Sequence, residues 1–132
     1  NIRYITNNLY SDKPDGLSGN EDCGQMSAWY IFSSMGFYPL NPSNGAYVFG
    51  SPLFDEVDLN LGGGNSMKII SENNSDTNIY IQEVILNGTK HKYSYITHKD
   101  LVKGGELRFV TGSKPNLEFG KNKKYRPESI VY

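Results

Sequence analysis

The sequence predicts an α+β fold, with helices in the first third and an antiparallel β-sandwich-like segment after them. Three observations carry this. Ile2, Ile5 and Leu9 recur at helical spacing, and a nearly continuous apolar run follows Cys23. After Asn44 the pattern changes to short runs divided by turn-rich stretches such as "LGGGNS", "ENNSDTN" and "LNGTK". The composition agrees, because 10 Tyr and 6 Phe favour strands.

Asn1 to Tyr10 reads as a helix without a start signal, as if cut from a longer one. Ser11 to Gly19 reads as loop, since Pro14-Asp15-Gly16 is a turn signature. A second helix is expected from Cys23 to Met35. Asp22 stands where its N-cap would be, with Gln25 three residues on as a capping-box partner, and Ser18 with Glu21 offers a competing box one turn earlier. Ala28, Ile31, Phe32 and Met35 make one face, while Trp29 and Tyr30 leave little polar surface elsewhere. Such a helix is a buried one, and other helices are expected to cover Trp29 and Phe32. Gly36 is a natural stop, with Pro39 and Pro42 behind it.

Strands are expected at 47–49, 57–61, 67–71, 79–86, 93–97 and 107–111, with a helical turn over 97–103. Val57, Leu59 and Leu61 alternate with Glu56, Asp58 and Asn60, which predicts one buried and one wet face. Lys114 to Tyr132 reads as a surface wrap. The expected domains are 1–45 for the helices and acidic loop, 46–113 for the β-rich segment and 114–132 for the tail.

The bulk properties exclude several functions. With 132 residues the chain is one domain or part of a larger one. Its 13 basic and 14 acidic residues nearly balance, which argues against nucleic-acid or membrane-surface binding. No run approaches the roughly 18 apolar residues of a membrane span, and the first residues do not follow a signal-peptide pattern. The single cysteine, Cys23, permits no internal disulfide. Without a CxxC or a basic neighbour it is expected to be packed. His91 and His98 lack a second ligand at metal spacing and are expected at the surface. Asn73 and Asn87 fit the glycosylation sequon.

The chemistry concentrates in "GNEDCGQMSAW", residues 19–29. Three readings of Glu21 and Asp22 are open. Asp22 can cap the helix, worth about 1 kcal/mol. Asn20, Glu21 and Asp22 can offer oxygen to a hard cation, although the alternating ligand pattern of an EF-hand is absent. A carboxylate near a helix N-terminus is held ionised and can act as a general base.

The stretch from "DGLSGNEDCGQMSAW" through "GFYPLNPSNGAYVFGSPLFDEVDL" closely resembles the C-terminal part of glycoside hydrolase family 92, and the likeness continues through "ENNSDTNIYIQEVILNGTKHKYSYITHKDLVKGGELRF". These are calcium-dependent, exo-acting α-mannosidases, often α-1,2-specific, of bacteria that consume N-glycans and mannan. The resemblance implies that residues 1–45 are the last helices of an (α/α)6 barrel, continued N-terminally of Asn1, with the β-segment closing the domain. It implies an inverting mechanism in which Asp22 is the general base. Many members have an Asp where this chain has Asn20, and an amide can only position water. Glu21 and Gln25 are weaker candidates for substrate contact. The general acid, most calcium ligands and the metal-site residues would lie upstream, so the chain alone is expected to be inactive. The implied partners are mannose-containing glycans. The implied location is the periplasm, the cell surface or the outside of a bacterium. A non-catalytic carbohydrate-binding β-sandwich or structural accessory segment is the alternative.

Overall fold

The computed structural model describes residues 1–128. Two helices come first, α1 over Ile2–Asn8 and α2 over Gln25–Ser34, joined by the acidic loop. The chain then enters β1 (Phe37–Asn41) and β2 (Ala46–Phe49), followed by β3 (Glu56–Gly62) and β4 (Asn65–Glu72). After these come β5 (Tyr80–Leu86), the two-residue β6 (Thr89–Lys90) and β7 (Tyr95–Thr97). Helix α3 (His98–Lys103) and β8 (Gly105–Gly112) complete the elements needed here. No helix among the described residues is long and apolar enough to cross a membrane.

The strands form two sheets, β1-β2-β7 and β3-β4-β8-β5-β6. The alternation in β3 appears as expected, with Val57, Leu59 and Leu61 half-buried and the polar residues between them exposed. The core is one cluster of Met35, Phe37, Met67, Ile69, Val84, Ile96, Leu101, Leu107 and Phe109. Phe49 crosses it edge-on to Phe109, ring centroids 5.3 Å apart.

Two features differ from the sequence expectations. Pairing is antiparallel except between β4 and β8, which run parallel from Met67↔Gly105 to Glu72↔Val110. The intervening β5–β7 and α3 supply the long crossover that a parallel pair needs. Residues 37–41 form a strand despite Pro39, because β1 is an edge strand and its pairing with β2 is irregular between Tyr38 and Asn41. Phe32 is half-buried and packs against Phe37, Tyr38 and Tyr47 of the β1-β2 sheet. Trp29 is half-buried against Tyr10, while Ile31 on the same helix stays 56% exposed. Of the tail, Phe119 packs on the core and Tyr125 meets Tyr93 edge-on; residues 129–132 of the expected wrap lie outside the described residues.

Both helices are strapped to the β-segment. The buried Arg3 guanidinium donates to the Pro52 carbonyl and to Asn74 Oδ1. Asn74 Nδ2 in turn donates to the Leu53 carbonyl and to Asp55 Oδ1, both at 3.0 Å. At the end of α2 the Ser34 carbonyl accepts from Leu53 N–H at 2.8 Å, and the Gly36 carbonyl accepts from Gly50 N–H at 2.9 Å. These bonds fix the platform from which the acidic loop is presented.

Candidate active site

The loop leaves α1 at Leu9 and is pinned early. Tyr10 and Leu17 form an isolated antiparallel bridge. Ser11 N–H donates to the Gly16 carbonyl and Gly16 N–H to the Lys13 carbonyl, each at 2.9 Å. Only glycine fits at 16, since a Cβ there would sit 2.1 Å from the Ser11 carbonyl oxygen. Tyr10 lays its ring on α2, stacked on Trp29 at 5.7 Å and tilted on Tyr30 at 4.8 Å. Its hydroxyl donates to the Met26 carbonyl at 3.3 Å. Partial burial first, then the nearby Glu21 and Tyr38, raise the Tyr10 pKa.

The start of α2 is not built as the sequence suggests. Residues 22–24 make a separate 3₁₀ turn, and α2 begins at Gln25 behind Gly24, whose φ is 76°. Cys23 is also left-handed, at φ 56° and ψ 25°. These two residues turn the chain before the helix, so the Asp22 side chain does not reach the orphan N–H groups and Gln25 is no capping partner to it. Glu21 caps instead. Its Oε2 accepts from Met26 N–H at 2.8 Å, and both carboxylate oxygens accept from Ser27 N–H at 3.1 Å. Ser27, through its side chain first and also its backbone, together with Met26, holds the Glu21 carboxyl below the usual carboxylate range.

Asp22 is therefore left exposed beside the helix start, its backbone carbonyl accepting from Gln25 N–H. Asn20 and Gln25 are exposed on either side of it in sequence. A groove of about 440 Å³ adjoins the loop, lined by Tyr10, Asp12, Leu17, Ser27, Tyr30 and Ile31 among others. It brings the aromatic rings of Tyr10 and Tyr30 together with the hydroxyls of Ser11 and Ser27 beside the loop.

The family model described as the Glycosyl hydrolase family 92 catalytic domain matches residues 1–113. The chain belongs to glycoside hydrolase family 92. A family α-mannosidase of Bacteroides thetaiotaomicron shares its structure with a TM-score of 0.91 at 41% identity, over 99% of this chain and 18% of that one. An inverting mannosidase of the family from the same organism superposes with a TM-score of 0.89 at 40% identity, over 97% of this chain and 17% of that one. An uncharacterized secreted glycosidase of Arthroderma benhamiae is 28% identical over 124 residues, which is 92% of this chain and 16% of the relative. The chain thus spans under a fifth of the length of these family members.

Other singled-out residues fall away from the loop. Cys23 is exposed and unpaired with another cysteine, not packed, because the left-handed turn carries it outward. His91 is half-buried rather than superficial: its Nε2 lies 2.8 Å from the Tyr95 carbonyl and its ring packs edge-on to Phe49. His98 is exposed and stacks on Tyr47. Among the described residues no cluster of three or more His, Cys, Asp or Glu is placed to hold a metal ion. Calcium, which the family resemblance implies, would need most of its oxygen ligands from the rest of the enzyme. Sequence reading does not single out Tyr10, which carries no motif; its only signal is a bulky aromatic at the junction of helix and loop. The sequence offers Glu21 only as the partner of a box with Ser18, whereas its carboxylate bonds forward, to Met26 and Ser27 N–H.

Proposed function

We propose that this chain is the C-terminal part of an exo-acting, inverting α-mannosidase and carries its general base, Asp22. The observation that carries this is the division of labour in the acidic loop. Glu21 takes the structural work at the helix start, which leaves the Asp22 carboxylate exposed and free to accept a proton. The 40% identity to an inverting mannosidase supports the same reading.

In an inverting reaction, water attacks the anomeric carbon from the face opposite the leaving oxygen. Asp22 removes a proton from that water as the new C–O bond forms. A carboxylic acid in the remainder of the enzyme protonates the departing oxygen, with the two carboxyl groups roughly 6.5–9.5 Å apart to leave room for the water. Asn20 holds the water or a sugar hydroxyl through its amide, and Gln25 contacts a substrate hydroxyl from the first turn of α2. In this proposal residues 1–45 close the catalytic barrel, 46–113 form the β-rich segment that steadies it, and 114–132 the tail. The substrates are α-linked mannosides, α-1,2 in the first instance, of N-glycans or mannan. The enzyme works outside the cytoplasm, at a bacterial periplasm or surface, which the secreted relative supports in its coarser sense. Calcium would take most of its ligands from the rest of the enzyme.

The test is mannose release by the full-length enzyme and its Asp22→Asn variant. The account expects a loss of roughly 10²–10⁴-fold, the usual worth of general-base help. Near-normal turnover overturns it.

A further inference from the structure

We infer that Glu21 is a positioning residue for Asp22: its carboxylate clasps the start of α2 and so fixes the place from which Asp22 reaches the attacking water. This rests on the reading of Asp22 as the general base. It also replaces the expectation that Glu21 touches substrate.

The geometry is that of a closed ring. Residue 21 lies three positions before Gly24, the N-cap of α2, yet its side chain folds forward onto the N–H groups of Met26 and Ser27. Gly24 has no side chain with which to make those bonds. The backbone from 21 to 25 is thus tied at both ends, by the Glu21 side chain and by the Gln25 N–H bond to the Asp22 carbonyl. A further bond runs from Gly24 N–H to the Glu21 carbonyl at 3.3 Å. Within the ring stand Cys23 and Gly24, both left-handed. A left-handed residue other than glycine is held only where its surroundings fix it. Cys23 is exposed and cannot be held by packing, so the ring closure is what keeps it there. Opening the clasp lets Cys23 return to an ordinary backbone conformation, and that rotation swings the adjacent Asp22.

Charge reinforces the clasp. Glu21 sits at the positive end of the α2 dipole, and bonds from N–H groups to an ionised carboxylate are stronger than those between neutral partners. Both carboxylate oxygens face backbone donors, so the group is committed to the helix and not presented outward. A displacement of about 1 Å at a catalytic group can cost on the order of 10²-fold in rate, which sets the scale of the effect.

The experiment compares Glu21→Ala, Glu21→Gln, Asp22→Asn and the double variant Glu21→Ala/Asp22→Asn in the full-length enzyme. Turnover number and KM are measured on an α-mannoside, with the melting temperature alongside. Glu21→Ala should lower kcat by roughly 10–10²-fold with KM changed little. Glu21→Gln keeps one acceptor oxygen and should recover part of the loss, which keeps the test open if Glu21→Ala folds poorly. In the Asp22→Asn background, Glu21→Ala should cost no further turnover while still lowering the melting temperature. A raised KM at unchanged kcat overturns the inference, because Glu21 would then contact substrate. So does a loss that adds fully to that of Asp22→Asn, or an unchanged kcat in both Glu21 variants. If Asp22→Asn itself retains near-normal turnover, the base assignment fails whatever Glu21 does. If Asp22→Asn is inactive and the Glu21 variants are normal, only the positioning role fails.

Discussion

Gly36 sits where α2 hands the chain to β1, and replacing it with alanine tests how the helices are docked. Its φ is 96°, a conformation that costs an L-residue about 1–2 kcal/mol. An added Cβ would lie 2.9 Å from Phe109 Cε2, 3.1 Å from Phe109 Cζ and 3.1 Å from Pro52 Cβ. Phe109 is fully buried and boxed by Phe49, so the ring has no easy retreat. Overpacking of this kind costs about 1–3 kcal/mol. Gly36→Ala should therefore destabilise the chain by about 2–5 kcal/mol in total. Gly64→Ala is the control, because Gly64 has φ 85° but nothing within 4 Å of its would-be Cβ. It should lose only the backbone part, about 1–2 kcal/mol. Equilibrium urea unfolding of the wild-type chain and both variants gives the two differences. If Gly36→Ala loses no more than Gly64→Ala, the close packing of the α2–β1 turn on Phe109 is wrong.

Two further outcomes follow from the same contacts. Arg3→Met should lower stability by about 1–3 kcal/mol, because it leaves the Pro52 carbonyl and Asn74 Oδ1 without their donor; faster proteolysis at 50–55 than in the wild type would report the released strap, and unchanged cleavage would count against it. Glu21 has a depressed pKa in the folded chain, so the stability from its capping bonds is present above the unfolded carboxylate value and is lost as pH falls through the folded one. The gap in melting temperature between wild type and Glu21→Gln should accordingly be widest near neutrality and shrink below roughly pH 4; a gap that stays constant with pH would show that the charge of Glu21 contributes nothing to the cap.

How much of this was legible in the sequence depends on whether the deciding physics is local. Alternation fixes which face of β3 is buried without reference to anything distant, and Val57, Leu59 and Leu61 point inward as read. Strand pairing is not local, so the parallel β4–β8 match could not be seen. Pro39 signals a break, but its tolerance on an edge strand depends on which strand neighbours β1. Phe32 was legible as an apolar contact residue, but its packing against a sheet was not. In the site, the acidic cluster was visible as a chemical anomaly at once. The roles within it were not, because they turn on two left-handed residues, and nothing in the side chain of Cys23 announces φ 56°. Once that turn is known, Asp22 cannot cap and Glu21 can.

The claim that Asp22 deprotonates the attacking water is tested most directly by giving the full-length Asp22→Asn enzyme a nucleophile that needs no deprotonation. Asparagine cannot accept the proton, so hydrolysis of an α-mannoside should fall by roughly 10²–10⁴-fold. Because Asp22 is exposed and makes no capping bond, the melting temperature should hardly move. Added azide should restore turnover of an α-mannoside bearing a good leaving group and yield the β-mannosyl azide, with inversion at the anomeric carbon. Near-normal hydrolysis by Asp22→Asn without azide, or an azide product of retained α configuration, would contradict the account.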